Sequence, residues 1–185
     1  MAGMRLAPLN PFCLTKYYVL SIDPIANKTI VYFMSMRKKD YIFLEASDSC
    51  ALCSIKGADN LTIHHIDKDE KNNEYDNLIL LCHNCHCRHH QNKGISKKLI
   101  VETKRKLILK TLTHFGVNAL KIAYRNKVGV AATRFLLSHL IDLGLLKFKE
   151  ELSSEAYDGE IVSTEALFEI TEKGKRYYKK WLNKS

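Results

Sequence analysis

Residues 50–90 decide the fold, and they read CALCSIKGADNLTIHHIDKDEKNNEYDNLILLCHNCHCRHH. This stretch holds five of the six cysteines and six of the eight histidines of the 185-residue chain. A soluble domain has no general reason to gather thiols and imidazoles in one place, whereas both are ligands for transition metals. We therefore predict that the chemistry of the protein lies in this stretch.

Four of the cysteines form two Cys-x-x-Cys pairs: Cys50, Cys53, Cys82 and Cys85. Together the pairs offer the four sulfur ligands of a tetrahedral zinc ion. The alternative, ordinary buried cysteines, would need four of them to fall into two such pairs by chance. Because a site with four protein ligands has no open position, the predicted zinc is structural and does not catalyse. Cys13 and Cys87 are left without an assigned role.

The histidines lie between and just after the cysteine pairs. Residues 61–67 predict a strand that runs into a turn, and residues 76–81 predict a second strand or a loop that leads to Cys82. A helix is predicted to start near Cys85. In that helix His86 and His90 share a face, whereas His89 lies over Cys85 and is predicted to point toward the zinc. His64 and His65 can reach one site only if their strand ends there, since neighbours on a regular strand face opposite ways. Asp67 and the polar run 68–73 predict that the strand ends there; the alternative is that both histidines are ordinary sheet residues.

The order Cys-x-x-Cys, His-His, Asn-Leu and Cys-x-x-Cys-His resembles the HNH endonucleases, whose core is a ββα-metal fold. The resemblance implies that His65 is the general base and that Asn77 holds the base-bearing loop. It also implies a catalytic divalent metal (Mg²⁺, Mn²⁺, Ni²⁺ or Zn²⁺) beside the structural Zn²⁺. The metal ligands that it implies are His64, His86 and His90. Aspartate often occupies the position of His64 in the family, and paired histidines occur in its colicin-like branch.

The general chemistry agrees with these roles. Imidazole side chains titrate near neutral pH, so a histidine is a competent proton acceptor there. A divalent ion stabilises charge on a phosphate and on a departing oxygen. Imidazole ligands favour transition metals over Mg²⁺, when compared with a site made of oxygen ligands.

The segments on either side of this stretch differ in character. Residues 1–49 contain three β-rich runs, and residues 96–185 are mainly helical with two strands. The predicted β-rich runs are Tyr17–Ile22, Thr29–Met34 and Tyr41–Leu44. The predicted later elements are helices Leu99–Phe115, Asn118–Arg125 and Val130–Leu143, strands Leu145–Lys149 and Ala166–Ile170 around a long polar loop, and a helix Thr171–Trp181 capped by Thr171.

This later segment resembles a winged helix-turn-helix module, most closely in the run FEITEKG at residues 168–174. The resemblance implies that Val130–Leu143 is a recognition helix. Its predicted reading face consists of Thr133, Arg134, Ser138 and His139. The alternative is that these helices form a dimer interface. Residues 150–165, the predicted wing, contain six acidic residues and no basic one, which disfavours contact between the wing and phosphate.

The charge balance favours a polyanionic partner. The chain has 29 Lys and Arg against 20 Asp and Glu, a formal charge of +9, so nucleic acid is the electrostatically favoured ligand. The alternative is a basic face that is merely solvated. The predicted nucleic-acid contacts are Arg88, Lys93, Lys97, Lys98, Lys104, Arg105 and Arg134. DNA is the expected partner, RNA is an alternative, and a homodimer is allowed.

No apolar run reaches the roughly 20 residues needed to span a bilayer, so no membrane association is expected. Residues 1–10 are too short and, with Pro8, too broken for a signal peptide. We therefore expect a cytoplasmic protein, in which clustered cysteines are read as metal ligands before disulfides.

These observations predict an α+β protein of three parts. They are a β-rich arm at residues 1–49, a zinc-bound ββα-metal nuclease core at 50–95 and a winged-helix-like DNA-binding or dimerisation domain at 96–185. The predicted function is metal-dependent hydrolysis of DNA phosphodiester bonds. The alternatives are a zinc-containing DNA-binding regulator without catalysis and an RNA-cleaving nuclease with the same site.

Overall fold

The structure is a computed structural model, and it describes residues 20–23, 28–31, 37–157 and 160–183. The described residues form helices and small antiparallel sheets, which confirms the α+β class. The chain divides into two compact units, residues 1–35 and residues 36–185. None of the described helices is both long and apolar enough to cross a membrane.

The first unit contains an antiparallel hairpin. Strand β1 (Leu20–Asp23) pairs with β2 (Lys28–Val31), with Leu20 opposite Val31. These strands overlap the first two predicted β-rich runs, of which residues 17–19 and 32–34 lie outside the described residues.

The second unit begins with a helix and a strand pair. Its first half consists of α1 (Lys38–Glu45), β3 (Leu61–His65), β4 (Leu78–Cys82) and α2 (His83–His90). Strands β3 and β4 are antiparallel, with Leu61 opposite Cys82 and His65 opposite Leu78. A short 3₁₀ turn, Tyr75–Asn77, leads into β4. The strand pair and the helix after it match the order predicted from the sequence, although α2 starts two residues before Cys85.

The second half adds a long helix and a three-stranded sheet. Its elements are α3 (Lys97–Arg125), β5 (Val130–Ala132), α4 (Arg134–Asp142), β6 (Leu146–Tyr157), β7 (Glu160–Ile170) and α5 (Glu172–Tyr177), followed by a π-helical turn, Tyr178–Leu182. The sheet order is β5-β7-β6, and both pairings are antiparallel. The Thr171 hydroxyl accepts a hydrogen bond from the Gly174 N–H at 2.9 Å, which confirms the predicted cap.

The predicted strand Tyr41–Leu44 is wrong, because these residues lie in helix α1. Tyr41, Ile42 and Glu45 are buried on one side of the helix, a spacing of three to four residues. The sequence does not reveal this helical burial pattern, because an unpaired glutamate is not expected at a core position. The burial of Glu45 depends on a partner, Lys104, that lies 59 positions away.

Two later predictions also differ from the structure. Val130–Ala132 is a strand and not the start of a helix, and Gly129 explains the change. Gly129 has a φ of 119°, and a Cβ there would collide with the carbonyl oxygen of Phe168, so only glycine lets β5 approach β7. The predicted long polar loop is mostly strand, since β6 extends to Tyr157 and β7 starts at Glu160.

Helix α3 replaces the two predicted helices. It is capped by Ser96, whose hydroxyl accepts from the Leu99 N–H at 3.2 Å, and it is kinked at Thr113, where φ is 59°. The kink lies three residues before Gly116, which falls between the two predicted helices Leu99–Phe115 and Asn118–Arg125. Gly116 itself lies inside the helix and packs against the ring of His139.

Strand β4 lies between two apolar clusters, and all five of its residues are buried. Leu78 and Leu80 belong to the larger cluster, which extends through α1, α3, α4 and the three-stranded sheet to Trp181. Ile79 and Leu81 belong to the smaller cluster, which contains three of the four paired cysteines. The alternation of side chains along a strand therefore ties the cysteine-rich segment to the main core. The predicted boundaries at residues 49/50 and 95/96 both fall within this unit and remain predictions.

Candidate metal centres

The first centre is formed by the two cysteine pairs. The Cys50–Cys53 pair is held against the sheet by the Ala51 N–H, which donates to the Leu80 carbonyl at 2.9 Å. The second pair lies at the start of α2, where the Cys82 Sγ accepts from the Cys85 N–H at 3.4 Å. The four Sγ atoms all lie within 4.8 Å of one another.

This geometry fits a tetrahedral zinc ion. Zinc–sulfur bonds of about 2.3 Å at tetrahedral angles place the sulfurs about 3.8 Å apart, and the Cys53 and Cys82 Sγ atoms are 3.6 Å apart. Burial opposes ionisation of Cys50, but backbone N–H groups of Cys82, Leu52 and Cys53 outweigh it and lower its pKa to about 7. Burial, together with the neighbouring thiols, raises the pKa of Cys85. The four sulfurs could therefore all be thiolates only with a cation bound between them.

The second centre is formed by three histidines. His64 is the fourth residue of β3, and His86 and His90 lie one turn apart on α2. One ring nitrogen of each lies within 4.8 Å of the other two. The Nε2 atoms of His86 and His90 are 3.2 Å apart, close to the roughly 3.3 Å between two imidazole ligands at about 2.0–2.1 Å from a tetrahedral metal. The donor set fits a transition metal.

The electrostatics of His64 favour the form that binds metal. Its side chain is buried, and its Nε2 has no hydrogen-bond partner. Burial, followed by the charges of His86, His89 and His90, lowers the pKa of His64 to about 4. Burial also lowers the pKa of His86. Burial therefore favours the neutral form of both rings, and the unpaired buried nitrogen of His64 is costly unless a metal ion binds it.

His89 occupies a different place from the one predicted. The ring of His89 packs edge-on against His64, with centroids 5.1 Å apart. Its Nδ1 is 2.9 Å from the Ile95 carbonyl oxygen, so Nδ1 donates. This buried hydrogen bond fixes the orientation of the His89 ring, which packs against His64.

His65 stands at the end of β3, which confirms that the strand stops there. Its Nε2 lies 3.2 Å from the Asn73 Oδ1. Because an amide oxygen only accepts, the Nε2 carries the hydrogen and the Nδ1 lone pair is left to take a proton. His64 and His65 line the same open cavity of about 590 Å³, together with His86 and His90.

Asn77 holds the loop that follows His65. Its Oδ1 accepts from the Asp67 N–H at 3.0 Å, and its Nδ2 donates to the Asp67 Oδ1 at 2.8 Å and to the Asn72 carbonyl at 2.9 Å. The Asn77 carbonyl accepts from the Ile66 N–H at 2.8 Å. The side chain is buried. The loop that contains Asn73 is thus fixed relative to β4.

Asp67 completes this network. The Asp69 N–H donates to its carboxylate at 2.9 Å, and the Asn72 amide donates at 2.6 Å. These hydrogen bonds, the Asp69 N–H first, lower the pKa of Asp67 to about 2. These hydrogen bonds therefore keep the Asp67 carboxylate ionised at any pH at which the protein would act.

Most of the predicted nucleic-acid contacts are exposed, but Lys104 is an exception. Arg88, Lys93, Lys97, Lys98 and Arg134 lie on the surface. Lys104 is wrong as a nucleic-acid contact, because it is completely buried in an ion pair with Glu45 at 2.6 Å. Arg105 is half-buried and its Nε donates to the Trp181 carbonyl at 3.2 Å. Part of its guanidinium group is therefore engaged in a hydrogen bond within the protein.

The predicted reading face of α4 is also incomplete. Thr133 and Arg134 are exposed, and Ser138 is half-buried with its hydroxyl donating to the Phe135 carbonyl at 2.9 Å. His139 faces inward against Gly116 with its Nε2 buried, and burial lowers its pKa. His139 therefore cannot read DNA from this position.

The sequence analysis missed Asn73 and the loop around it. Residues 68–73 were read only as the end of a strand, although the run contains polar residues that favour turns stabilised by their own side chains. The available signal was that Asn72 and Asn73 follow Asp67 and His65 closely enough in the sequence for hydrogen bonds within one loop. It becomes meaningful only once Asn77 is known to hold the loop.

Residues 50–92 match the family model of the HNH endonuclease. The match covers both cysteine pairs, the histidine cluster, His65 and Asn77. No curated protein and no solved structure matches the chain. A nuclease-family domain with a four-cysteine cluster is therefore present in the second unit.

Proposed function

We propose that the protein is a metal-dependent DNA endonuclease that hydrolyses phosphodiester bonds with His65 as the general base. One observation carries the proposal. The three histidine nitrogens that converge within 4.8 Å open onto the same cavity as His65, whose Nε2 is held by Asn73. A structural role alone gives no reason for a buried, unpaired His64 Nε2 beside a fixed proton acceptor.

Each residue of the site has a separate proposed role in the hydrolysis. A bound divalent ion would stabilise charge on the phosphate and on the departing oxygen. His64, His86 and His90 would hold that ion. His65 Nδ1 accepts the proton of the attacking water, and Asn73 keeps the ring in the tautomer that allows this. Asn77 and Asp67 hold the loop so that Asn73 stays in place.

The cysteine centre has a separate role in this proposal. Its four ligands leave no position for substrate, so zinc there would be structural. It joins the Cys50–Cys53 turn to the start of α2, which carries His86 and His90. The zinc would therefore set the position of the helix that supplies two of the three histidine ligands.

Phosphate contacts are proposed for exposed basic residues in and after the nuclease-family segment. Lys68 lines the cavity, and Arg88 and Lys93 lie at the end of α2, joined by a hydrogen bond of 3.2 Å from the Arg88 Nε to the Lys93 carbonyl. Lys97 and Lys98 start α3 nearby in the chain and are exposed. Such contacts position a nucleic acid without reading its sequence. DNA is the substrate proposed, and RNA would use the same chemistry.

The last part of the chain is proposed to be a winged-helix-like module. The succession α3, β5, α4 and the β6–β7 hairpin, with sheet order β5-β7-β6, supports this proposal. A single helix, α4, lies between β5 and β6. Arg134 is exposed and lies 5.0 Å from the Phe148 ring of β6. The acidic hairpin disfavours contact with phosphate, so the proposed DNA contact is through the start of α4.

His86→Ala tests the proposed catalytic metal. The substitution removes one of three ligands, so the ion concentration for half-maximal plasmid nicking is expected to rise at least about 100-fold, the upper end of what loss of an outer-shell partner costs. Zinc bound by the cysteines should remain. Metal-free protein would be titrated with one ion at a time.

His83→Ala is the matched control, since His83 is an exposed histidine of α2 whose ring contacts the Asp59 carbonyl and not the cluster. It should nick like the unaltered protein. Equal metal requirements for His86→Ala and His83→Ala would refute the assignment of His86 as a ligand.

A further inference from the structure

Three consecutive residues before Asn77 are each bound to other elements of the same unit. Glu74 pairs with Lys38 of α1 at 3.0 Å and with Lys173 of α5 at 2.6 Å. The Asp76 Oδ2 accepts from the Lys180 Nζ at 2.7 Å and from the Trp181 Nε1 at 2.9 Å. A 3₁₀ turn that leads into one strand does not need contacts with the C-terminal end of the chain in order to form.

Tyr75, between them, is bound to a buried ion pair. Its hydroxyl donates to the Glu45 Oε2 at 2.5 Å, and its ring lies 3.9 Å below the Lys104 Nζ. The Lys104 Nζ is 2.6 Å from the Glu45 Oε1, and both side chains have no exposed surface. A buried ion pair adds little stability over apolar residues of the same size, so its presence favours a role in fixing geometry.

The next residue, Asn77, holds the loop that orients His65. Asn77 is bonded on its carbonyl, its Oδ1 and its Nδ2 to residues 66, 67 and 72. A displacement of the turn therefore moves Asn77 and, through the loop, Asn73 and the ring of His65. The chain of contacts from Trp181 to Asp76, Asn77, Asp67 and the His65 loop has no gap.

We propose that residues 74–76 form a clamp through which α1, α3 and the C-terminal segment position the catalytic loop of residues 66–73. Glu45, Lys104, Asp76 and Trp181 are then positioning residues for the hydrolysis, although none of them lines the histidine cavity. The catalytic half of this inference rests on the proposed function. The structural half, that the clamp orders the loop, does not.

Asp76→Ala in the zinc-loaded 185-residue chain tests the clamp. The variant frees the turn from Lys180 and Trp181, so amide hydrogen exchange of residues 66–73 is expected to become at least about tenfold faster, because a broken tether lowers the cost of local opening. The exchange of residues 83–90 should stay unchanged. In plasmid nicking, kcat is expected to fall roughly 10- to 100-fold, the effect of about 1 Å of misplacement, with little change in KM.

Two further variants serve as matched comparisons. Asp76→Asn keeps an oxygen that accepts from Trp181 and should restore most of the protection and most of kcat. Glu169→Ala breaks an ion pair of similar length, 2.7 Å to Lys147, elsewhere in the C-terminal half, and it should change neither quantity. If Asp76→Ala loses zinc or unfolds, Trp181→Phe takes its place, since it removes the donor N–H together with part of the indole ring and retains an aromatic side chain.

Unchanged exchange of residues 66–73 in a folded Asp76→Ala or Trp181→Phe protein would overturn the clamp, whether or not the protein cleaves DNA. Faster exchange confined to these residues supports it. Absence of cleavage by the unaltered protein would instead count against the proposed function, so the two failures are distinguishable.

Discussion

His65→Ala is expected to lower the rate of plasmid nicking by about 10²- to 10⁴-fold, the usual contribution of a general base. The substitution removes the only ring in the cavity whose proposed role is to accept a proton and not to bind the metal. It removes no cysteine and no proposed metal ligand. DNA affinity and metal content should therefore match those of the unaltered protein, and the loss should appear in kcat.

Nicking rates would be measured under single-turnover conditions, with binding measured separately on a DNA duplex. His114→Ala is the control, because His114 is an exposed histidine of α3 outside the histidine cavity. Nicking by His65→Ala at the rate of the control would show that another group takes the proton. A joint loss of binding, zinc and activity would show that His65 is structural.

Cys53→Ser is expected to lose the structural zinc and to unfold the cysteine-rich half of the second unit. Three of the four cysteines lie in the small apolar cluster under β4, so loss of the zinc would leave thiols unpaired inside this cluster. Structural zinc contributes about 10–16 kcal/mol in zinc-finger peptides, compared with a total folding free energy of about 5–15 kcal/mol for a typical domain. The loss therefore cannot be offset locally.

Zinc content and thermal denaturation followed by circular dichroism would measure this effect. Cys87→Ser is the control, since Cys87 is an exposed cysteine of α2 that lies outside the cluster. Cys87→Ser should retain zinc and an unchanged melting temperature. A Cys53→Ser protein that melts like the control without zinc would contradict the structural role.

The metal clusters could be predicted because their information is local in the sequence. Two Cys-x-x-Cys pairs and an i, i+4 histidine pair on a helix need only the geometry of a turn and of a helix. The end of β3 at His65 could be predicted for the same reason, from the polar run that follows. None of these inferences required knowledge of distant contacts.

The errors have a common physical cause, which is a contact made far along the chain. Tyr41–Leu44 lies in a helix whose buried face includes Glu45, and Glu45 can be buried because Lys104 lies beside it. The same pair removes Lys104 from the surface that was predicted to meet DNA. Gly129 is required by the Phe168 carbonyl of a strand 39 residues later. A pattern read within one window contains none of this information.

The role of Asn73 also could not be predicted from the local sequence. Its role depends on the loop geometry that Asn77 and Asp67 impose, and that geometry depends in turn on contacts from the C-terminal segment. The two groups of clustered ligand residues and the histidine proposed as the base could be identified from the sequence. The residues that hold the base in one orientation could not.

The most direct test of the account is metal-dependent nicking of supercoiled plasmid. The unaltered protein would be treated with a chelator that leaves the cysteine-bound zinc in place. Mg²⁺, Mn²⁺, Ni²⁺ and Zn²⁺ would then be added in separate reactions, with RNA as a second substrate. We expect conversion of supercoiled DNA to nicked or linear forms in at least one of these reactions and none without added ion. Intact plasmid and intact RNA in every reaction, with the DNA bound, would contradict it and favour a DNA-binding regulator.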